Sequence, residues 1–138
     1  MITICYLSSV RPRLSIIDIE SLFNQTKKQN DIYNISGVLI YNDGNFFQIL
    51  EGEENYVNLL YAKIKGDKRH HNIIEIINSP INEKIFDGFD YGYSVISDLS
   101  QLYKLQEYLE LLQFIEYKKP RLDIISKFIQ TLLSIDIK

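Results

Sequence analysis

Two apolar runs, Ile35–Tyr41 and Phe46–Leu50, are separated by little more than Asn42-Asp43-Gly44. An Asp-Gly pair between two strand-like runs is a strong short-range signal for a β-hairpin. The flanking segments fix how that hairpin is used. Before it come a strand-like Ile2–Leu7 and a helix-period segment, Ser15–Lys28, with Ser15 as N-cap and Ile16, Ile19, Leu22 and Phe23 on one face. After it come a second helical segment, Glu53–Lys65, with Val57, Leu60, Tyr61 and Ile64 as its stripe, and a fourth strand, Ile73–Ile77. Strand, helix, hairpin, helix, strand is the βαββαβ order of a ferredoxin-like unit. A short fifth strand over Tyr91–Val95 makes the expected fold α+β, with a βαββαββ sheet.

The tail reads differently. Asp98 is placed as an N-cap, followed by Leu99, Leu102, Leu105, Leu109 and Leu112 at helical spacing. Pro120 suits the first position of another helix carrying Leu122, Ile125, Ile129, Leu132 and Leu133. The expectation is a core over residues 1–96 and a helical cap over 97–138, within one domain. The two crossover helices would cover one sheet face and the two C-terminal helices the other. An interface with a second copy, giving a homo-oligomer, is the other use for those apolar stripes.

Composition narrows the function classes. A chain of 138 residues with 46% hydrophobic content is long and apolar enough for one packed core. Its net charge of -3 weighs against nucleic acid, whose binding rests on neutralising phosphates. A lone cysteine, Cys5, supports neither a disulfide framework nor a cysteine metal site. His70 and His71 are adjacent, so they would not share a helix face as paired metal ligands. The chain opens on a strand without a leader pattern, and no apolar run approaches membrane-spanning length. The expectation is a soluble, cytoplasmic protein with no membrane and no nucleic-acid partner.

One polar residue stands inside the third strand. Phe46, Gln48 and Leu50 share a face, Phe47 and Ile49 the other, and Glu51-Gly52 reads as the turn that closes the run. A buried primary amide left unpaired costs about 1–3 kcal/mol, so Gln48 demands a polar partner. Tyr6 shares a strand face with Ile2 and Ile4. In a ferredoxin-like sheet the first and third strands are neighbours, so Tyr6 and Gln48 can meet through a phenol-to-amide hydrogen bond. Asn30, just past the expected end of the first helix, can reach over the same face. Plainer readings stand beside these: a half-buried core tyrosine for Tyr6 and a helix C-cap for Asn30.

Together these residues resemble a BLUF domain, a blue-light sensor that uses flavin. The likeness runs from Tyr6 to about Tyr93. It rests on the early-strand Tyr6, on Asn30, and on Phe46-Phe47-Gln48-Ile49-Leu50-Glu51-Gly52 for the family's F-x-Q-x-L-E-G. Ile35-Ser36-Gly37-Val38-Leu39-Ile40-Tyr41 matches its I-T-G-x-L-x-Y, while Lys63-Ile64 and Asp67-Lys68-Arg69-His70 match its basic-Ile and D-x-R-H elements. The fifth-strand segment departs from the family pattern, with Phe89 in place of Trp and Tyr91 in place of Met.

The resemblance implies an oxidised flavin, FAD with FMN as the other option, held between the crossover helices over the Tyr6–Gln48 face. It implies Asn30 on the polar edge of the ring, and Lys63, Asp67 and Arg69 near the ring or the ribityl-phosphate chain. It further implies that light drives electron and proton transfer from Tyr6 and a rearrangement of Gln48. Phe89 and Tyr91 would relay the signal to a downstream protein, and the domain would be a sensor rather than an enzyme. Two rival classes on similar folds fit less well. An acyl-phosphate hydrolase needs a phosphate-cradling loop, and Ser8–Arg13 has arginines but no glycines. An RNA-binding platform needs aromatic residues on one face, and Phe46 and Phe47 point to opposite faces. A flavin-free interaction domain on the same scaffold is the main alternative, and the colour of the purified protein separates the two.

Overall fold

A computed structural model describes residues 1–10, 16–42, 44–68, 70–86, 93–96 and 99–115, with 127 and 130. The elements run β1 (Ile2–Val10), α1 (Ile16–Ile32), β2 (Ser36–Asn42), β3 (Asn45–Gly52), α2 (Glu54–Gly66), β4 (His70–Pro80), β5 (Tyr93–Ile96) and α3 (Leu99–Ile115). The sheet order is β4-β1-β3-β2-β5. β1 pairs antiparallel with both β3 and β4, and β2 pairs antiparallel with β3. This is the expected α+β, ferredoxin-like sheet, with the first and third strands side by side at its centre.

The hairpin forms as its turn residues require. Asn42 faces Asn45 across the β2–β3 ladder, and Gly44 takes a φ of 79°, where a side chain would be strained. Gly37 is the other position that only glycine fits. Its φ is 143°, and a Cβ there would lie 1.9 Å from the carbonyl oxygen of Ile49. The two strands that carry and flank Gln48 therefore approach closely because position 37 has no side chain.

β1 and β4 run longer than the sequence reading, to Val10 and over His70–Pro80, and two further differences bear on the site. α1 continues through Gln29-Asn30-Asp31-Ile32, where polar residues give no apolar periodicity to follow. It stops where Asn34 turns left-handed, at φ 54°, and the Ile35 N–H donates to the Asn30 carbonyl at 2.9 Å. Glu51 and Gly52 do not form a turn. They belong to β3, where Glu51 faces Ser36 on one side and Thr3 on the other, and both are buried. Ladder pairing, on both sides for Glu51 and with Ile2 of β1 for Gly52, holds them extended despite their turn-like composition.

One sheet face carries the main core. Ile2, Ile4 and Tyr6 from β1, with Phe46 and Leu50 from β3, pack beneath Leu22 of α1 and Val57 and Tyr61 of α2. Both crossover helices thus lie over this face, as their position in the chain requires. On the opposite face Cys5, Val38, Ile40, Phe47 and Ile49 are also buried. The chain divides into two compact units, Met1–Val95 and Ile96–Lys138. Within the second, α3 buries Leu102, Leu105 and Gln106. The N-caps expected at Ser15 and Asp98 and the helix start at Pro120 lie outside the described residues. Among the described residues no helix is long and apolar enough to cross a membrane.

Candidate functional site

The centre of the site follows from the β1–β3 register, in which Tyr6 and Gln48 are direct cross-strand partners. Both side chains are buried. The Tyr6 hydroxyl donates to Gln48 Oε1, so the amide that the sequence placed in an apolar strand has its polar partner. On its other side Tyr6 faces Glu75 of β4. Gln48, Tyr6 and Glu75 thus form one row across three strands.

α1 lays a second polar row over this face. Leu22, Thr26, Gln29 and Asn30 fall at i, i+4, i+7 and i+8, one side of a helix. Thr26 spends its hydroxyl on the Leu22 carbonyl at 2.7 Å. Asn30 is different. It lies in the last turn of α1 rather than beyond the helix, is fully buried, and has no partner for Nδ2 or Oδ1 among the described residues. Burying an amide in that state costs about 1–3 kcal/mol for each unmet group.

A cavity of about 90 Å³ opens between the helices and the sheet. Its floor is Leu39 and Gln48, its α1 wall is Leu22, Thr26 and Gln29, and its α2 wall includes Lys63 and Asp67. A second cavity of about 270 Å³ shares Gln29, Leu60 and Lys63 with it and continues between Tyr33 and Tyr56. Lys63 and Asp67, one helical turn apart, therefore border the space above Gln48. Arg69, Phe89 and Tyr91 lie outside the described residues.

Several residues around the site carried no distinctive mark in the sequence. Thr26 and Gln29 were ordinary polar positions on a helix. Tyr61 was one member of an apolar stripe. Its ring lies 5.6 Å from that of Tyr6, and the Lys65 ammonium sits 4.4 Å above it. Burial, and then the nearby Glu75 carboxylate, push the Tyr61 phenol up to about 12. Behind the sheet, Glu51 is fully buried. It accepts from the Ser36 hydroxyl at 2.9 Å and from the Ile85 and Phe86 N–H groups at 2.8 and 2.5 Å. Burial raises its carboxyl above the ordinary 4.5, while those bonds and Lys84 pull the other way. Burial likewise pushes up the Cys5 thiol.

Comparisons with known proteins identify the relatives of this chain. A family model described as sensors of blue light using FAD (BLUF) matches residues 1–92. The chain is 36% identical over 86 residues to the photoactivated adenylate cyclase subunit alpha of Euglena gracilis. That match covers 62% of this chain but only 8% of the cyclase. Among solved structures, Klebsiella pneumoniae BlrP1 with FMN and cyclic diGMP superposes with a TM-score of 0.72 at 26% identity, over 94% of this chain and 34% of that one. BlsA in its photo-activated state gives 0.69 at 26% identity, over 96% of this chain and 94% of its own.

Proposed function

The chain belongs to the BLUF family of blue-light sensors that use flavin, and on that premise we propose that Asn30, Gln48, Lys63, Asp67 and Arg69 hold an oxidised flavin whose excitation is registered by the Tyr6–Gln48 pair. The observation that carries this reading is the buried amide of Asn30, with a donor and an acceptor both unmet. The polar edge of an oxidised flavin offers a ring N–H and carbonyl oxygens, the complement of one amide. Leu22, Leu39 and Ile64 supply apolar walls for the flat ring. Lys63 and Asp67 are placed for the ring edge or the ribityl-phosphate chain, with Arg69 two residues further on.

When bound, the flavin absorbs blue light and becomes a strong one-electron oxidant. Tyr6 is the group suited to yield that electron, because its hydroxyl proton already points at an acceptor, Gln48 Oε1. Gln48 is suited to record the event. Its amide has a donor end and an acceptor end of nearly equal size, so rotation or tautomerisation reverses its hydrogen bonding at little steric cost. The protein's contribution is orientation, exclusion of water and these two proton-bearing groups.

FAD is the proposed form of the cofactor, in line with the family description. FMN carries the same ring, and Asn30 and Gln48 would hold either. Output is proposed to run through Phe89, Tyr91 and β5 to the helices of 97–138, and from there to a downstream protein or a second copy of the chain. Titration of the flavin-stripped protein with flavin, followed by fluorescence quenching, tests the reading. Asn30→Ala should weaken binding by about 1–3 kcal/mol, or about 5- to 150-fold. Unchanged affinity in a folded Asn30→Ala protein would overturn it.

A further inference from the structure

Tyr6 touches a second phenol that the mechanism above leaves unused. Tyr61 projects from α2 onto the same sheet face, with ring centroids 5.6 Å apart and planes tilted by 36°. That separation lies within the range of direct aromatic contact. Electron exchange decays steeply with distance, so rings in contact are natural exchange partners. The Tyr61 phenol feels the carboxylate of Glu75, the residue that faces Tyr6 from β4. Each phenol therefore has its own acceptor group nearby, Gln48 for Tyr6 and Glu75 for Tyr61.

We propose that Tyr61 is a relay electron donor that refills Tyr6, with the Glu75 carboxylate as its proton acceptor. This rests on the reading of Tyr6 as the donor to photoexcited flavin, which is the oxidant. The step begins with Tyr6 one electron short and still carrying its hydroxyl proton. One electron passes from the Tyr61 ring to the Tyr6 ring. The Tyr61 O–H bond breaks, and its proton goes to Glu75. Tyr6 is restored as a neutral phenol, Tyr61 becomes a neutral phenoxyl radical, and Glu75 becomes a carboxylic acid. One electron and one proton have moved, and charge is conserved.

The surroundings favour this coupled form over electron loss alone. A phenol with its titration pushed up to about 12 is protonated at neutral pH, so its proton has to leave during oxidation. The Lys65 ammonium, 4.4 Å from the ring centre, disfavours a positive charge on Tyr61. Transfer of the proton to Glu75 removes that charge as it forms. The relay moves the oxidised site from the Tyr6 ring to the Tyr61 ring 5.6 Å away and returns Tyr6 to a neutral phenol.

Transient absorption after blue excitation of the flavin-loaded protein tests the relay directly, because the chain has no tryptophan. In Tyr61→Trp the relay predicts that an oxidised-tyrosine signal gives way to an indolyl radical signal, which no other residue can produce. Tyr61→Phe should remove the slow phase of the tyrosine signal. Glu75→Gln should slow the second transfer by about 100-fold or more, the usual worth of a positioned proton acceptor. A tyrosine signal that rises and decays identically in wild type and all three variants, with no indolyl band in Tyr61→Trp, would overturn the relay and leave Tyr6 as donor. No oxidised tyrosine in the wild type would overturn both the relay and the reading beneath it.

Discussion

Asn30 and Glu51 are buried to the same degree and served in opposite ways. Glu51, behind the sheet, receives three hydrogen bonds from Ser36, Ile85 and Phe86. Asn30, on the α1 side, receives none among the described residues. Both belong to the same small unit, so the difference is not one of general packing quality. A carboxylate whose acceptors are filled by the chain itself is a fastening between β3 and the segment approaching β5. On the proposed reading, the amide of Asn30, unmet at both ends among the described residues, is the group that meets the flavin.

Substitution can break that distinction. The largest expected effect is on Glu51. Glu51→Ala deprives two backbone donors and a hydroxyl of their shared acceptor, and should destabilise the fold by on the order of 3 kcal/mol or more. The loss should be the same with and without flavin, as read from paired thermal melts. A loss confined to the flavin-loaded form would make Glu51 part of the ligand site. Asn30→Leu should show the inverse pattern. Without flavin it should hold or raise stability, by about 1 kcal/mol, because an unmet buried amide is gone. Flavin retention should fall in the same protein. Clear destabilisation of the flavin-free form would mean that Asn30 is structural after all.

The smallest effect is a pH slope. The Glu51 carboxyl titrates above its ordinary 4.5 in the folded chain. The folded state therefore holds that proton more tightly than the unfolded state. The corresponding stability is fully present below the unfolded value and is lost as pH rises through the folded one. Melts of the wild type from mildly acidic to neutral pH should show this decline, and Glu51→Gln should flatten it. An unchanged slope in Glu51→Gln would assign the dependence to another group.

The sequence and the structure meet where periodicity carries the information. Strand alternation placed Gln48 on the face of Phe46 and Leu50. The βαββαβ order then brought Tyr6 beside it, because first and third strands are neighbours in that topology. What remained illegible has physical causes. Glu51 and Gly52 have turn-like composition, yet pairing with the flanking strands holds them extended, a tertiary effect that no local propensity reports. From Asn24 to Asp31 α1 is polar throughout, so no apolar stripe marked Asn30 as helical. Tyr61 looked like any core aromatic, and only the approach of α2 to β1 and β4 sets it against Tyr6 and Glu75.

The most direct measurement is the absorption spectrum of the purified protein before and after blue light, with Tyr6→Phe and Gln48→Leu beside it. The wild type should carry the bands of oxidised flavin and shift them to the red on illumination, then recover in the dark. Both variants should bind flavin and show no such shift, one lacking the transferable proton and the other the reversible amide. A colourless wild type that stays colourless after refolding with excess flavin would contradict the account, as would a normal red shift in either variant.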